Sequence, residues 1–399
     1  MIIRRFFSNL ANNYATLNID IVRGRDIHLW DKYGTRYIDM MAAFSTVNQG
    51  HCHPKIIDAT KKQLDELTVV SRTVRNNILE KWATTITNRF DYSSVLPMSS
   101  GSEAVEVAIK LSRKHGIENM SIRNPHLCVL TGNYHGKTIG AISLSDNEVY
   151  RNGFGPFVEN VVKVQINNLN SLYAAFDYYG NQISAIMYEP IQGEGGIVPI
   201  SEEFMLEMNK IRMEHPGLLL IADEIQSGLG RSGGWTAGEI VFPNIRKPDV
   251  LLLGKSLTGG VVPMSCVLGD RNVMDVFLPG SHGSTYGGNP LAAAASISAM
   301  EVLEMECMGK SIVNSKILED GLRRIISDTE HQLRGSGMFW GIEFRDGVLA
   351  ENIRQQLLLK RYITMTARNN VLRITPPLTI SAFEIEKFLE CLSEILDRK

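Results

Sequence analysis

The sequence has no run of five like charges, and its 41 basic side chains nearly balance 43 acidic ones, leaving a formal net charge of −2. That balance excludes the basic footprint of a nucleic-acid or anionic-membrane binder. No stretch of eighteen apolar residues occurs, so no membrane span is expected. Cysteine is sparse: five residues, at 52, 128, 266, 307 and 391, odd in number and without CxxC or zinc spacing. A disulfide framework is thereby excluded, and free thiols packing as small hydrophobes point to a reducing, cytoplasmic setting. Internal repeats and low-complexity linkers are also missing. The start, Met1-Ile2-Ile3-Arg4-Arg5-Phe6-Phe7-Ser8, has a trace of a basic targeting segment, since no acid precedes Asp20. It lacks a long apolar core and a small-residue cleavage site.

What is present is an ordinary globular composition over 399 residues, longer than one hydrophobic core usually spans, so two domains are expected. Residues 28–39 read as two short strands around a turn at Tyr33-Gly34. Pro54 opens a helix that runs to about Leu67. Between about 95 and 270, short apolar runs alternate with helical or loop segments, with strand candidates at 127–130, 185–188, 218–222, 250–253 and 264–268. Strands apolar throughout and separated by helices imply an α/β fold whose largely parallel sheet is covered on both faces. After Gly287-Gly288-Asn289-Pro290 a helix is expected from Leu291 to Glu306. Strand-like pieces at 338–344 and 372–375 then mark a smaller α+β domain.

The chemistry sits at the strand ends. Lys255 closes the run Val250-Leu251-Leu252-Leu253-Gly254, and Leu218-Leu219-Leu220-Ile221-Ala222 ends on Asp223-Glu224-Ile225-Gln226. Pyridoxal phosphate chemistry needs such a pair: an amine to hold the cofactor aldehyde as a Schiff base, and a carboxylate to keep the pyridine nitrogen protonated. Each residue also has an ordinary structural reading, the lysine snorkelling to solvent and the aspartate capping a helix. Ser100 and Glu103 have the spacing of a capping box, with Gly101 allowing close backbone approach, so this helix start could hold phosphate or merely be capped. Tyr134 follows the 127–130 strand, where it could stack on a ring or serve the core. Their coincidence at predicted carboxyl ends of parallel strands, where α/β ligand sites lie, favours a site. His51 and His53 stand two apart in a loop without an obvious carboxylate partner; a packed or capping role fits better than metal ligation, and no metal is expected.

Longer motifs carry a resemblance. Val47-Asn48-Gln49-Gly50-His51-Cys52-His53-Pro54-Lys55, Gly153-Phe154-Gly155-Pro156-Phe157, Glu189-Pro190-Ile191-Gln192-Gly193-Glu194, Ile221-Ala222-Asp223-Glu224-Ile225-Gln226, Leu252-Leu253-Gly254-Lys255 and His282-Gly283-Ser284-Thr285-Tyr286-Gly287-Gly288-Asn289-Pro290 stand in order. From about Asn13 onward the chain resembles the class III aminotransferases, and among them the ornithine enzymes. The resemblance implies fold type I, aspartate aminotransferase-like. It places a large cofactor domain at 46–288 and a small domain at 289–399, to which 1–45 contributes. It also implies a homodimer with active sites at the interface. Lys255 would be the Schiff-base lysine, Asp223 the partner of the pyridine nitrogen, and Gln226 a neighbour of the ring hydroxyl. Gly101 and Ser102 would hold the phosphate, helped by Ser284 and Thr285 from the partner subunit. Tyr134 would stack on the ring, with His135 beside it among the cofactor-binding residues. Arg373 resembles the arginine that binds the α-carboxylate of glutamate and 2-oxoglutarate, and Glu194 the carboxylate that pairs with it while the other substrate is bound.

The implied reaction moves an amino group, the ω-amino group of ornithine or a related amino acid, to 2-oxoglutarate in two half-reactions. Three substrate-binding positions depart from the ornithine pattern: Phe44 and Arg75 each replace a tyrosine, and Lys137 replaces the arginine that grips the donor's α-carboxylate. A lysine loses the planar bidentate fork. A segment like Tyr134-His135-Gly136-Lys137-Thr138 also occurs in putrescine-type diamine transaminases. A diamine or a specialised biosynthetic donor therefore stands as the alternative, and an intramolecular aminomutase as a more distant one. A cofactor-binding interaction protein without activity is disfavoured by the presence of both Lys255 and Asp223.

Overall fold

The computed structural model describes residues 9–345 and 347–397, so the segment 1–8 considered above lies outside the described residues. A seven-stranded sheet forms the centre, in the order Ser94–Met98, Ser265–Gly269, Val250–Leu253, Leu219–Asp223, Ile183–Tyr188, His126–Leu130, Val161–Val164. Six strands share one direction; Ser265–Gly269 alone is reversed, antiparallel to both its neighbours. The expected strand at 264–268 therefore exists but runs against the rest. Two strands escaped the sequence pattern. Ser94–Met98 contains Pro97, which a sheet tolerates only where a missing N–H is harmless, and this strand is at the edge. Val161–Val164 is too short to announce itself, and its third residue is exposed.

Why the central strands are apolar throughout follows from the pleat. Successive side chains point to opposite faces. Leu127, Val129, Ala185, Met187, Leu219, Ile221, Val250 and Leu252 join a core with Ala104, Val105, Ala108 and Leu111 of the helix Gly101–Glu118. Cys128, Leu130, Ile186, Tyr188, Leu220, Ala222, Leu251 and Leu253 face the other core, with helix residues such as Phe204, Met208 and Ala295. Each strand residue thus has an apolar partner whichever way it points.

The remaining sheets join distant sequence. Ile21–Arg25, His28–Asp31 and Arg36–Asp39 form an antiparallel meander, which contains the expected hairpin, and Tyr362–Ile363 adds to it in parallel. Gln332–Ser336, Phe339–Glu343, Val371–Ile374 and Met365–Ala367 form another four-stranded sheet. The helix Pro54–Glu66 begins at its proline as expected. The helix expected at 291–306 starts at Pro290 with Asn289 capping the Ala292 amide, but it passes through a π-helical turn at Leu303–Cys307 into Met308–Ile325. Among the described residues no helix is long and apolar enough to cross a membrane.

One buried cation ties these parts together. Arg231 is fully buried, and its guanidinium donates to Met338 O at 2.8 Å, Pro376 O at 2.7 Å and Asn48 Oδ1 at 2.5 Å. Burial pulls its pKa down to about 9, so it remains charged at neutral pH. Arg231→Met is expected to lower the unfolding free energy by roughly 2–4 kcal/mol, because it strands two buried carbonyls and an amide oxygen. Lys387→Met, which removes the exposed pair with Glu390, is expected to leave the unfolding free energy nearly unchanged. Urea unfolding of both variants checks the contrast.

Candidate active site

Five of the six co-directional strands deliver their following residues to one cavity of about 430 Å³. Gly101 and Ser102 come after Ser94–Met98, Tyr134 and His135 after His126–Leu130, Glu189 after Ile183–Tyr188, Gln226 after Leu219–Asp223, and Lys255 after Val250–Leu253. Asp223 is the last residue of its strand. The carboxyl edge of a parallel sheet collects side chains from loops far apart in sequence, which is why α/β folds bind ligands there.

At one end the capping box is complete. The Ser100 hydroxyl accepts from the Glu103 amide, while Glu103 Oε2 accepts from the amides of Ser99 and Ser100. Gly101 and Ser102 are the first two helical residues, whose amides have no carbonyl one turn back. Those amides and the helix dipole make an anion seat. Gly136 closes the approach: at φ +116° a β-carbon there would meet Ser102 Oγ at 2.3 Å.

At the other end Asp223 is 5 % exposed. Its Oδ2 lies 2.7 Å from His135 Nδ1, and its Oδ1 accepts from the Ile225 amide at 3.1 Å. Burial works against a charged His135, yet the hydrogen bond and charge of Asp223 outweigh it and hold the imidazole above its ordinary pKa. Burial moves Lys255 the other way: despite Asp223, Glu189 and Glu194, its amine is held below the usual lysine range. A neutral amine is what a nucleophile or general base needs. Lys255 itself takes φ +46°, in the left-handed region, between Gly254 and a short 3-10 turn.

On the third side Arg373, 1 % exposed, donates from Nη1 to Glu194 Oε1 at 2.8 Å. Its guanidinium carbon lies 5.0 Å from the Phe44 ring centroid. Phe44 reaches that position from a four-residue left-handed turn, Ala42 to Ser45, with φ of 47°, 46°, 59° and 67°. Non-glycine residues pay roughly 1–2 kcal/mol each for that conformation. The turn persists because Asp39 Oδ1 accepts from the amides of Met41 and Ala42, and Thr375 Oγ1 donates to Met41 O at 3.0 Å.

Of the residues expected from the sequence, Phe44, Gly101, Ser102, Tyr134, His135, Lys137, Glu194, Asp223, Gln226, Lys255 and Arg373 all line this cavity. Lys137 is exposed at the rim, its Nζ 5.0 Å from the Tyr150 ring centroid. Arg75 is exposed and does not line the cavity, so of the three positions that depart from the ornithine pattern only Phe44 and Lys137 face it. Ser284 and Thr285 do not line it either; Ser284 hydroxyl lies 3.4 Å from Ser99 Oγ and 3.3 Å from Glu103 Oε1, and Thr285 is exposed. His51 and His53 face Asp39 and Glu306 instead. Sequence reasoning gave no role to Tyr14, Tyr150 or Glu189, which also line the cavity. Glu189 had the same signal as Asp223, an acid closing an apolar strand; the two tyrosines had none.

Pyridoxal phosphate fits these residues: two unpaired amides for its phosphate, a buried carboxylate for its ring nitrogen, an aromatic wall, and a lysine with a depressed pKa, all on one cavity. Gln226 Nε2 and Glu189 Oε2 are buried there without a hydrogen-bond partner, polar groups that await a ligand. A fold of this kind around such a site defines a pyridoxal-phosphate enzyme of fold type I.

Residues 9–396 match the family described as aminotransferase class-III, and the chain belongs to that family. It is 41 % identical over 394 residues to ornithine aminotransferase 1 of Staphylococcus saprophyticus, covering 97 % of each chain. The solved ornithine aminotransferase of Toxoplasma gondii superposes with a TM-score of 0.92 at 32 % identity, covering 98 % of this chain and 94 % of that one. An acetylornithine aminotransferase structure from Elizabethkingia anophelis gives 0.86 at 31 % identity, covering 98 % and 96 %. The protein is a pyridoxal-phosphate-dependent aminotransferase.

Glu189 makes a pH signature. Burial pushes its pKa from 4.5 up to about 8, against the opposing pull of His135 and the Tyr134 amide. Between those two values the folded chain holds this proton more tightly than the unfolded chain does, so its contribution to stability is greatest at the acid end and falls as pH rises. In the cofactor-free protein Glu189→Gln is expected to flatten that decline, as read by urea unfolding across the window.

Proposed function

We propose that the enzyme transfers the ω-amino group of ornithine, or of a closely related amino acid, to 2-oxoglutarate by a ping-pong mechanism. The observation that carries this reading is the Arg373–Glu194 pair on the same cavity as Lys255 and Asp223. One pocket must accept a donor's amine end and afterwards an acidic 2-oxo acid. Glu194, a quarter exposed, can swing away from Arg373, which is buried and fixed, leaving the guanidinium to an incoming carboxylate. Relatives and solved structures named as ornithine aminotransferases support the choice of donor.

When bound, pyridoxal phosphate supplies an aldehyde carbon that carries the amino group and a protonated ring that withdraws electrons from the reacting carbon. The chain's residues do the rest. The amides of Gly101 and Ser102 would hold its phosphate, Tyr134 would wall the ring, and Gln226 would offer an amide to the ring hydroxyl. Asp223, oriented by His135, would hold the proton on the pyridine nitrogen. Lys255 Nζ, its pKa lowered by burial, would anchor the cofactor at rest and, once displaced by the donor's amine, take the proton from the donor's amino-bearing carbon and pass it to the carbon that accepts the amino group.

The domain division 1–45 with 289–399 around 46–288 belongs to the same proposal, supported by the pairing of Arg36–Asp39 with Tyr362–Ile363. So does a homodimer in which Ser284 and Thr285 reach the partner's phosphate site, supported by the exposure of Thr285 and of Tyr286 at 62 %. One observation favours a second donor class. Lys137 stands at the rim, where its single ammonium grips a carboxylate less firmly than a guanidinium fork. A donor lacking the α-carboxylate, such as a diamine, would not need that grip.

Initial rates with ornithine, N-acetylornithine, lysine, 4-aminobutyrate and putrescine, each against 2-oxoglutarate, test the donor. Ornithine is expected to lead, and turnover of putrescine alone would remove it. Borohydride reduction of the holoenzyme followed by peptide mapping is expected to place the cofactor label on Lys255. A label on another side chain overturns the mechanism.

A further inference from the structure

We infer that Asp39 and His51 form a positioning pair that sets the enzyme's affinity for the carboxylate bound at Arg373; this rests on the reading of Arg373 as the 2-oxo acid's anchor. Neither residue lines the cavity. Asp39 is 1 % exposed, and its side-chain hydrogen bonds go to the left-handed turn and to His51. Its Oδ1 accepts from the Met41 amide at 2.8 Å and the Ala42 amide at 2.9 Å, fixing the entry to the turn. Its Oδ2 is held by His51 Nε2 at 2.7 Å. His51 is itself fixed, because its backbone pairs with Asp26 in both directions. With Oδ2 held by the imidazole, Oδ1 is turned toward the two amides that open the turn, so His51 braces the carboxylate against which they set.

The far side of the turn is stitched to the arginine's own strand. Thr375, two residues beyond Arg373, donates its amide to Met40 O at 2.8 Å and its hydroxyl to Met41 O. The turn and the strand Val371–Ile374 therefore move as one piece, with the Phe44 ring packed against the guanidinium and Glu194 at its Nη1. Arg373 Nε is buried without a hydrogen-bond partner, so nothing on that side of the guanidinium holds its plane except packing. Phe44 supplies that packing, and a sequence of four strained residues will not keep Phe44 in place unless its entry is clamped. When Glu194 leaves, the wall behind Arg373 is what remains to aim it. Loosening the clamp should weaken the 2-oxo acid more than the amino donor, which does not rely on Arg373.

The probe is glutarate, a dicarboxylate with no oxo group to react, titrated calorimetrically into the cofactor-free enzyme. The two half-reactions of the holoenzyme are followed separately, one with ornithine and one with 2-oxoglutarate on the amine form of the cofactor. His51→Leu is expected to weaken glutarate and to lower the apparent affinity for 2-oxoglutarate roughly fivefold, the scale of one lost positioning hydrogen bond. The ornithine half-reaction should change less than about twofold. His51→Gln, whose amide can donate to Asp39, should restore most of the loss. Phe44→Leu should weaken glutarate similarly, and the double variant no more than either alone, since both act through one contact. An unchanged glutarate affinity in His51→Leu overturns the inference, as does an equal loss in both half-reactions. If His51→Leu folds poorly, the glutarate affinities of His51→Gln and Phe44→Leu decide: wild-type affinity in Phe44→Leu refutes it. Arg373→Lys separates the two levels. Glutarate binding that survives in Arg373→Lys sinks the anchor reading itself; binding lost there but intact in His51→Leu sinks only the positioning role.

Discussion

The active site is organised around a charge that the sheet cannot bury alone. Asp223 ends the strand Leu219–Asp223 between two neighbours that run with it, in a core where an unpaired carboxylate would cost several kcal/mol. Its two oxygens are met by His135 and by the Ile225 amide. Those contacts fix the loop after His126–Leu130 and the turn before Gln226, and with them Tyr134 and the close approach of Gly136 to Ser102. Satisfying one carboxylate therefore positions groups for a ring, a ring hydroxyl and a phosphate. Lys255 sits in the same field, pulled toward neutrality by burial and away from it by three carboxylates. Burial prevails, and the amine's pKa lies below the usual lysine range.

The pair at Arg373 obeys a different balance. A fully enclosed ion pair resists separation, because removing one partner strands the other without solvent, at about 3–5 kcal/mol. Here only one member is enclosed. Arg373 is at 2 % side-chain exposure and Glu194 at 25 %, so the acid can be solvated as it leaves. The cation waits for a replacement carboxylate. This asymmetry, rather than the strength of the contact, makes the pair an exchangeable one.

The sequence disclosed the central sheet and most of the cavity because two regularities coincide there. Strands buried on both faces are apolar without interruption, and a polar residue that ends such a run stands out, as Asp223 and Lys255 do. The same rule applied to Ile183–Tyr188 would have flagged Glu189, whose importance is clear only once His135 and Asp223 are seen beside it. Other features left no local trace. The reversal of Ser265–Gly269 depends on its neighbours and not on its own side chains. Strand Ile21–Arg25 is almost wholly exposed and has no periodicity to read. The left-handed turn at Ala42–Ser45 contains no glycine or asparagine to announce it; Asp39 and Thr375 impose it from outside. Arg75, a pocket position only by the resemblance, is carried to the surface, which no local pattern announces.

Arg231 bears on the order in which the molecule can complete itself during synthesis. Its guanidinium is answered by Asn48, which emerges earlier, and by the carbonyls of Met338 and Pro376, which emerge much later. A nascent chain still short of residue 376 has a cation with no settled home beside an otherwise finished sheet, and the meander still lacks Tyr362–Ile363. The large core can collapse early around its apolar strands, but it closes only when nearly the whole polypeptide has left the ribosome. Until then the cation lacks two of the three acceptors that meet it in the finished fold.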